Sequence, residues 1–181
     1  RITYISLAVS RYSVRLAFMR MTLVLRFAVC LLLAPMAWPE EWSRFRGPNG
    51  GGISAATGYP VAFDGGKNLL WRMPVRSGKS SPVLSAKHVF LTGFENQKLY
   101  TQCFDRLTGR LLWEQSEAIV HTGSVNQLNH PAAISPVTDG DNVYVFFKDY
   151  GLLSYSATGK LRWRVPLGPF TNSQGLGAAP I

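Results

Sequence analysis

Apolar and polar residues alternate in short runs across residues 80–165, and turn-forming residues interrupt the runs every few positions. A period of two marks half-buried strands, and no sustained helical period follows residue 38. The pattern predicts strands near 80–84, 87–92, 99–105 and 110–115, then near 132–137, 142–147, 151–155 and 160–165, with an earlier strand near 69–75. The two groups of four are copies of one repeat. Each opens on Ser-Pro-Val (Ser81-Pro82-Val83 and Ser135-Pro136-Val137). An aromatic-bearing strand begins seven residues after each Pro (Val89-Phe90-Leu91 and Val143-Tyr144-Val145). Each copy then reaches a Thr-Gly-basic turn (Thr108-Gly109-Arg110 and Thr158-Gly159-Lys160), with a Trp four residues after the Gly (Trp113 and Trp163). Trp71 stands 42 residues before Trp113, and Trp163 follows 50 after it. A third opening, Gly177-Ala178-Ala179-Pro180-Ile181, ends the sequence.

Four antiparallel strands every 40–50 residues is the cue for a propeller blade. The fold expected is therefore all-β, a partial β-propeller of about two four-stranded blades plus the start of a third. It occupies residues 71–181, behind a lead-in at 38–70. The repeated residues have structural duties in such a fold. Gly109 and Gly159 supply the positive φ of a hairpin turn. Trp71, Trp113 and Trp163 offer flat faces to a neighbouring blade and N–H groups to its backbone. Small residues at the blade openings suit crowded inner strands, and Asp139-Gly140-Asp141-Asn142 is a tight turn.

Composition agrees: 17 Gly, 11 Pro and a high aromatic content favour strands and turns. The net charge of +9 is misleading. Five Arg and no acidic residue fall within residues 1–37, and the remainder carries only a small, scattered excess of base. No basic stripe exists, so nucleic acid is not an expected partner. Residues 1–37 read as an upstream extension followed by a signal peptide. Met19 or Met21 is the candidate start, Arg26 ends a basic region, and residues 27–37 form an apolar run too short to span a membrane. An uncleaved anchor is the competing reading. The mature chain is expected to be exported, to the periplasm or beyond, with no transmembrane span. Cys30 lies in the segment expected to be removed, which leaves Cys103 as a small buried hydrophobe without a disulfide partner.

The stretch Cys103-Phe104-Asp105-Arg106-Leu107-Thr108-Gly109-Arg110-Leu111-Leu112-Trp113 resembles the repeat of the pyrroloquinoline quinone (PQQ) quinoprotein propellers. Ser154-Tyr155-Ser156-Ala157-Thr158-Gly159-Lys160-Leu161-Arg162-Trp163 resembles it less closely, with Ser156 in the Asp position and one residue fewer before the Thr. The opening Trp42-Ser43-Arg44-Phe45-Arg46-Gly47-Pro48-Asn49-Gly50 is similar to the start of exported PQQ-like repeat proteins, including relatives of the outer-membrane assembly lipoprotein. The resemblance spans residues 42–181. It implies the fold, and a blade-docking duty for the Trp motif, without implying one function, since the repeat serves dehydrogenases and scaffolds alike. Dehydrogenases of this kind carry adjacent cysteines, a Trp floor, a Ca²⁺ site and a catalytic Asp. This sequence has no adjacent cysteines, and Asp139 and Asp141 belong to a turn.

No catalytic, cofactor-binding or metal-ligating residue is assigned. His88 is expected at an exposed strand edge. His121 and His130 flank a loop over 116–131, and a second such loop covers 168–175. Both open on one face of a propeller. Lys79, Asn129, His130, Asn172 and Gln174 are the candidate binding face there, with Asn126 nearby; solvated loop residues are the alternative. Gly47-Pro48-Asn49-Gly50-Gly51-Gly52 lacks the ending of a phosphate loop and reads as a flexible lead-in. Two blades leave apolar faces open at Phe90, Leu112, Tyr144, Phe146 and Leu167, so further blades or self-association are expected, a longer parent protein being preferred. The leading functional expectation is an exported, non-catalytic propeller without cofactor that binds a protein or polymer. The alternative is the N-terminal part of a PQQ-dependent dehydrogenase, and a sensor domain is a third.

Overall fold

A computed structural model describes residues 40–119, 129–168, 170, 176–177 and 179–181, all within one compact unit. Among the described residues there are eight strands and no helix. The strands are β1 (Val83–Leu84), β2 (His88–Glu95), β3 (Lys98–Asp105), β4 (Leu111–Ala118), β5 (Val137–Thr138), β6 (Asn142–Phe147), β7 (Gly151–Ser156) and β8 (Leu161–Pro166). They form two antiparallel four-stranded sheets, in the orders β1-β2-β3-β4 and β5-β6-β7-β8. Each sheet is one blade, and the first strands of the two blades, β1 and β5, lie beside each other.

The inner strands are shorter than the pattern predicts. Pro82 and Pro136 have no N–H for a ladder. The residues around them bond across the blades instead: Ser81 N donates to Ser135 Oγ (2.8 Å), and Thr92 Oγ1 donates to Ile134 O (3.0 Å). The predicted strand at 69–75 has no sheet partner among the described residues and is not a strand. β4 runs to Ala118, so it takes the first residues of the expected 116–131 loop. Residues 47–52 are not a loose lead-in: Gly47 N donates to Arg44 O, Gly50 N to Gly47 O and Gly52 N to Arg46 O.

Both blades carry the same irregularity in the same place. Cys103 pairs with Trp113 and Phe104 with Leu111, so Leu112 is an extra residue. Ser154 pairs with Trp163 and Tyr155 with Leu161, so Arg162 is extra. A bulge just before each Trp bends the outer strand and redirects its side chains.

The core is one apolar cluster shared by the sheets: Val83, Phe90, Leu99 and Cys103 from the first blade, with Val143, Val145, Phe147, Leu153 and Tyr155 from the second. Phe90 is fully buried, contrary to the expectation of an open face, because the second blade covers it. Each such side chain contributes roughly 1.5–3 kcal/mol by leaving water. Burial also pushes the Cys103 thiol up to about 12, with the nearby Asp105 charge adding to the effect. A thiol so held is inert at neutral pH.

The turn at residues 139–142 is held by one carboxylate. Burial disfavours its charge, but Tyr144 Oη (2.7 Å), Asn142 Nδ2 (3.0 Å), Asn142 N (2.7 Å) and Asp141 N (3.0 Å) all donate to it. The donors win and lower its pKa from 3.8 to about 2. A depressed folded-state pKa stabilises the fold above the unfolded value and loses that contribution as pH falls through the folded one. Asp139→Asn should therefore flatten the stability curve between pH 4 and pH 2, checked by denaturant titration at stepped pH.

Candidate functional site

The Trp-Gly motif builds the blade junction from both sides. Gly109 (φ 72°) and Gly159 (φ 84°) adopt the left-handed backbone that glycine favours. Each also lies under an indole. A Cβ at Gly109 would sit 2.4 Å from the Trp71 ring, and one at Gly159 would sit 2.7 Å from the Trp113 ring. The indole N–H groups reach the same turns: Trp71 Nε1 donates to Arg106 O (3.0 Å) and Trp113 Nε1 to Ala157 O (2.8 Å). Trp113 also lies between Phe90 (6.1 Å) and Tyr155 (5.8 Å), one ring from each blade. Trp71 is thus to the first blade what Trp113 is to the second, although its own segment is not in a sheet. Trp163 is 37% exposed and rests on Tyr144 of its own blade.

The turns beneath the indoles differ in length. In the first blade Gly109 N donates to Asp105 O, four residues back; in the second Gly159 N donates to Ser156 O, three back. Asp105 Oδ1 accepts from Thr108 Oγ1, Thr108 N and Leu107 N, which holds its carboxyl below the usual carboxylate range. Ser156 Oγ takes over in the shorter turn, with Thr158 Oγ1 at 2.9 Å and Lys160 N at 3.2 Å. The motif's acidic and hydroxyl groups are committed to turn geometry.

Polar side chains gather where the first inner strand begins. Lys79 is exposed there, and its N–H donates to Ala132 O (3.0 Å). This brings it beside Asn129 and His130, which lie half-buried at the entry to the second blade. Asn129 Oδ1 accepts from His130 N (2.8 Å), and His130 Nδ1 accepts from Ala132 N (3.2 Å). The neutral ring therefore carries its proton on Nε2, 3.5 Å from Ser77 Oγ. Phe94 meets the ring edge-on at 5.9 Å. Burial, and secondarily the Lys79 charge, hold His130 below the ordinary histidine value of 6.5. Lys79→Met should raise the His130 midpoint part of the way back, followed by NMR titration of the ring protons.

Three of the five residues predicted for this face are thus brought together. Asn172 and Gln174, like His121 and Asn126, lie outside the described residues. His88 is half-buried at the start of β2, beside Ser85 Oγ (3.4 Å) and Phe90 (5.7 Å), and not on an exposed edge. Sequence reasoning missed Arg76, which bonds Glu114 (2.9 Å) and Glu95 and lies over the Tyr100 ring at 4.7 Å. The other repeats hold Ala118 and Gly168 at the same distance after Trp, so no signal in the repeat marked it.

Among the described residues no three His, Cys, Asp or Glu side chains converge as ligands for a metal ion. The described cysteine is sealed in the core, and Trp71 and Trp113 lie against turns at blade edges. These residues do not supply the donor set of a quinone with its cation.

The family model PQQ_2, described as outer membrane protein assembly factor BamB, matches residues 43–176. No curated protein matches the chain at a significant level.

Proposed function

We propose that this chain, which belongs to the PQQ-repeat family described as outer membrane protein assembly factor BamB, serves as a non-catalytic scaffold whose propeller binds a protein partner end-on. One observation carries the reading. The residues that give the repeat its signature are committed to docking blades and shaping turns, while Lys79, Asn129 and His130 lie together where the inner strands begin. Loops on a rigid scaffold are where binding residues concentrate. A cation, an amide and an imidazole suit acceptor groups such as backbone carbonyls and carboxylates on a partner. The family description, together with the basic and apolar pattern of residues 21–37, favours an exported protein of the periplasm or cell exterior.

The test uses a photoreactive residue in place of Asn129 in the exported protein. A discrete protein adduct that disappears in the Lys79→Glu variant supports the reading. Titration with PQQ supplies the opposing arm: stoichiometric uptake with dye-linked alcohol oxidation would overturn it in favour of a dehydrogenase.

A further inference from the structure

The segment ahead of the first blade does more than precede it. Trp42 and Leu84 form an antiparallel bridge, with Trp42 N donating to Leu84 O (2.9 Å) and Leu84 N to Trp42 O (2.8 Å). β1 is the edge strand of its sheet, so the segment adds to the blade on its innermost side. The next residue serves the next blade: Thr138 N donates to Ser43 O (2.8 Å). Leu84 and Thr138 are equivalent positions, the last residues of β1 and β5, paired with Val89 and Val143 in their own blades. Two consecutive carbonyls therefore satisfy the same amide in two successive blades.

Side chains fasten the segment on either side of that contact. Arg106 Nη2 donates to Glu40 O (2.9 Å), and Ala86 N donates to Glu41 Oε1 (3.0 Å). The chain then turns sharply. A Cβ at Gly47 (φ 79°) would lie 2.8 Å from the Trp42 ring, so the indole is folded back onto this turn. Within this turn, Arg44, Phe45 and Arg46 face Ala179, Pro180 and Ile181 of the third opening across a cleft of about 370 Å³.

We propose that residues 40–47 are an axial strap. The single bridge at Trp42 and the Ser43 carbonyl beside it staple successive blades on their innermost side, and the turn that follows closes one end of the inner strands. The closed end is the one bearing the 85–87 and Thr-Gly turns. Lys79 lies on the other side of β1, roughly 15 Å back along an extended chain from Leu84. The strap thus leaves that end as the approach to the inner strands. An unpaired edge strand invites another chain, and here the protein's own segment takes the place. The strap stands whether or not the Lys79 end binds a partner.

A Ser43→Cys/Thr138→Cys pair in a Cys30→Ser background tests the contact directly, since Cys103 is too buried to compete. Mild oxidation should give one peptide joining residues 43 and 138 by mass spectrometry. Failure to crosslink would overturn the strap. Hydrogen exchange gives an independent measure. Trp42→Pro should speed exchange at Leu84 and Thr138 by about fivefold or more, the loss of one net hydrogen bond, with β6 and β7 unchanged. Unchanged exchange at both amides would count against the proposal; if the variant unfolds, the crosslink alone decides.

Discussion

Trp113→Ala should lower stability by about 3 kcal/mol, near the lower end for a large aromatic because the side chain is only partly buried. For a unit of this size the melting midpoint should fall by about 10 °C. The indole is the joint between the blades. Its ring sits between Phe90 and Tyr155, and its N–H donates to Ala157 O at 2.8 Å. Removing it opens a gap in the shared core and leaves that carbonyl without its donor. Trp163→Ala is the control, because this indole is 37% exposed and rests on its own blade. Its loss should cost about 1 kcal/mol. Equal effects from the two substitutions in thermal melts would show that docking does not depend on the motif Trp.

Gly159→Ala should destabilise by about 3 kcal/mol and Gly140→Ala by only about 1–2 kcal/mol, although both glycines have positive φ. The backbone term is common to the two. The difference lies in what the new methyl meets: open space at Gly140, and the Trp113 ring at 2.7 Å at Gly159. A double-mutant cycle should expose the coupling. With Trp113 already alanine, the added methyl at residue 159 has room, so the pair should be less damaging than the sum by about 1 kcal/mol or more. Strict additivity in urea titrations would refute the claim that glycine is needed there for the indole.

Much of the fold is legible from the residues alone, for local reasons. Alternation identified all eight strands, and four of them (β3, β6, β7 and β8) both begin and end within a residue of their predicted bounds. Turn residues identified the hairpins, because a positive φ or a side-chain cap is a property of a few adjacent residues. The inner strands were read too long. Their pattern is correctly extended, but Pro82 and Pro136 and the neighbouring Ser and Thr groups bond across blades, a fact of sheet placement. The segment around Trp71 was read as a strand because its residues alternate; whether alternation becomes a strand depends on a partner ladder. Of the candidate face, Lys79, Asn129 and His130 were found from their place between strands, whereas Arg76 and Phe94 join their surroundings through contacts with no local signature.

By itself the sequence determined the repeat: strand period, turn chemistry, the indole and glycine of each blade, and hence the propeller class. These follow from steric and hydrogen-bonding rules that act over a few residues. Only the tertiary structure decided which glycine each indole covers, that Phe90 is enclosed, and that Trp42 and Ser43 bond equivalent amides of two blades. Those pairings join residues some 40 to 95 positions apart, and no local preference records which distant surface will arrive to fill a given edge.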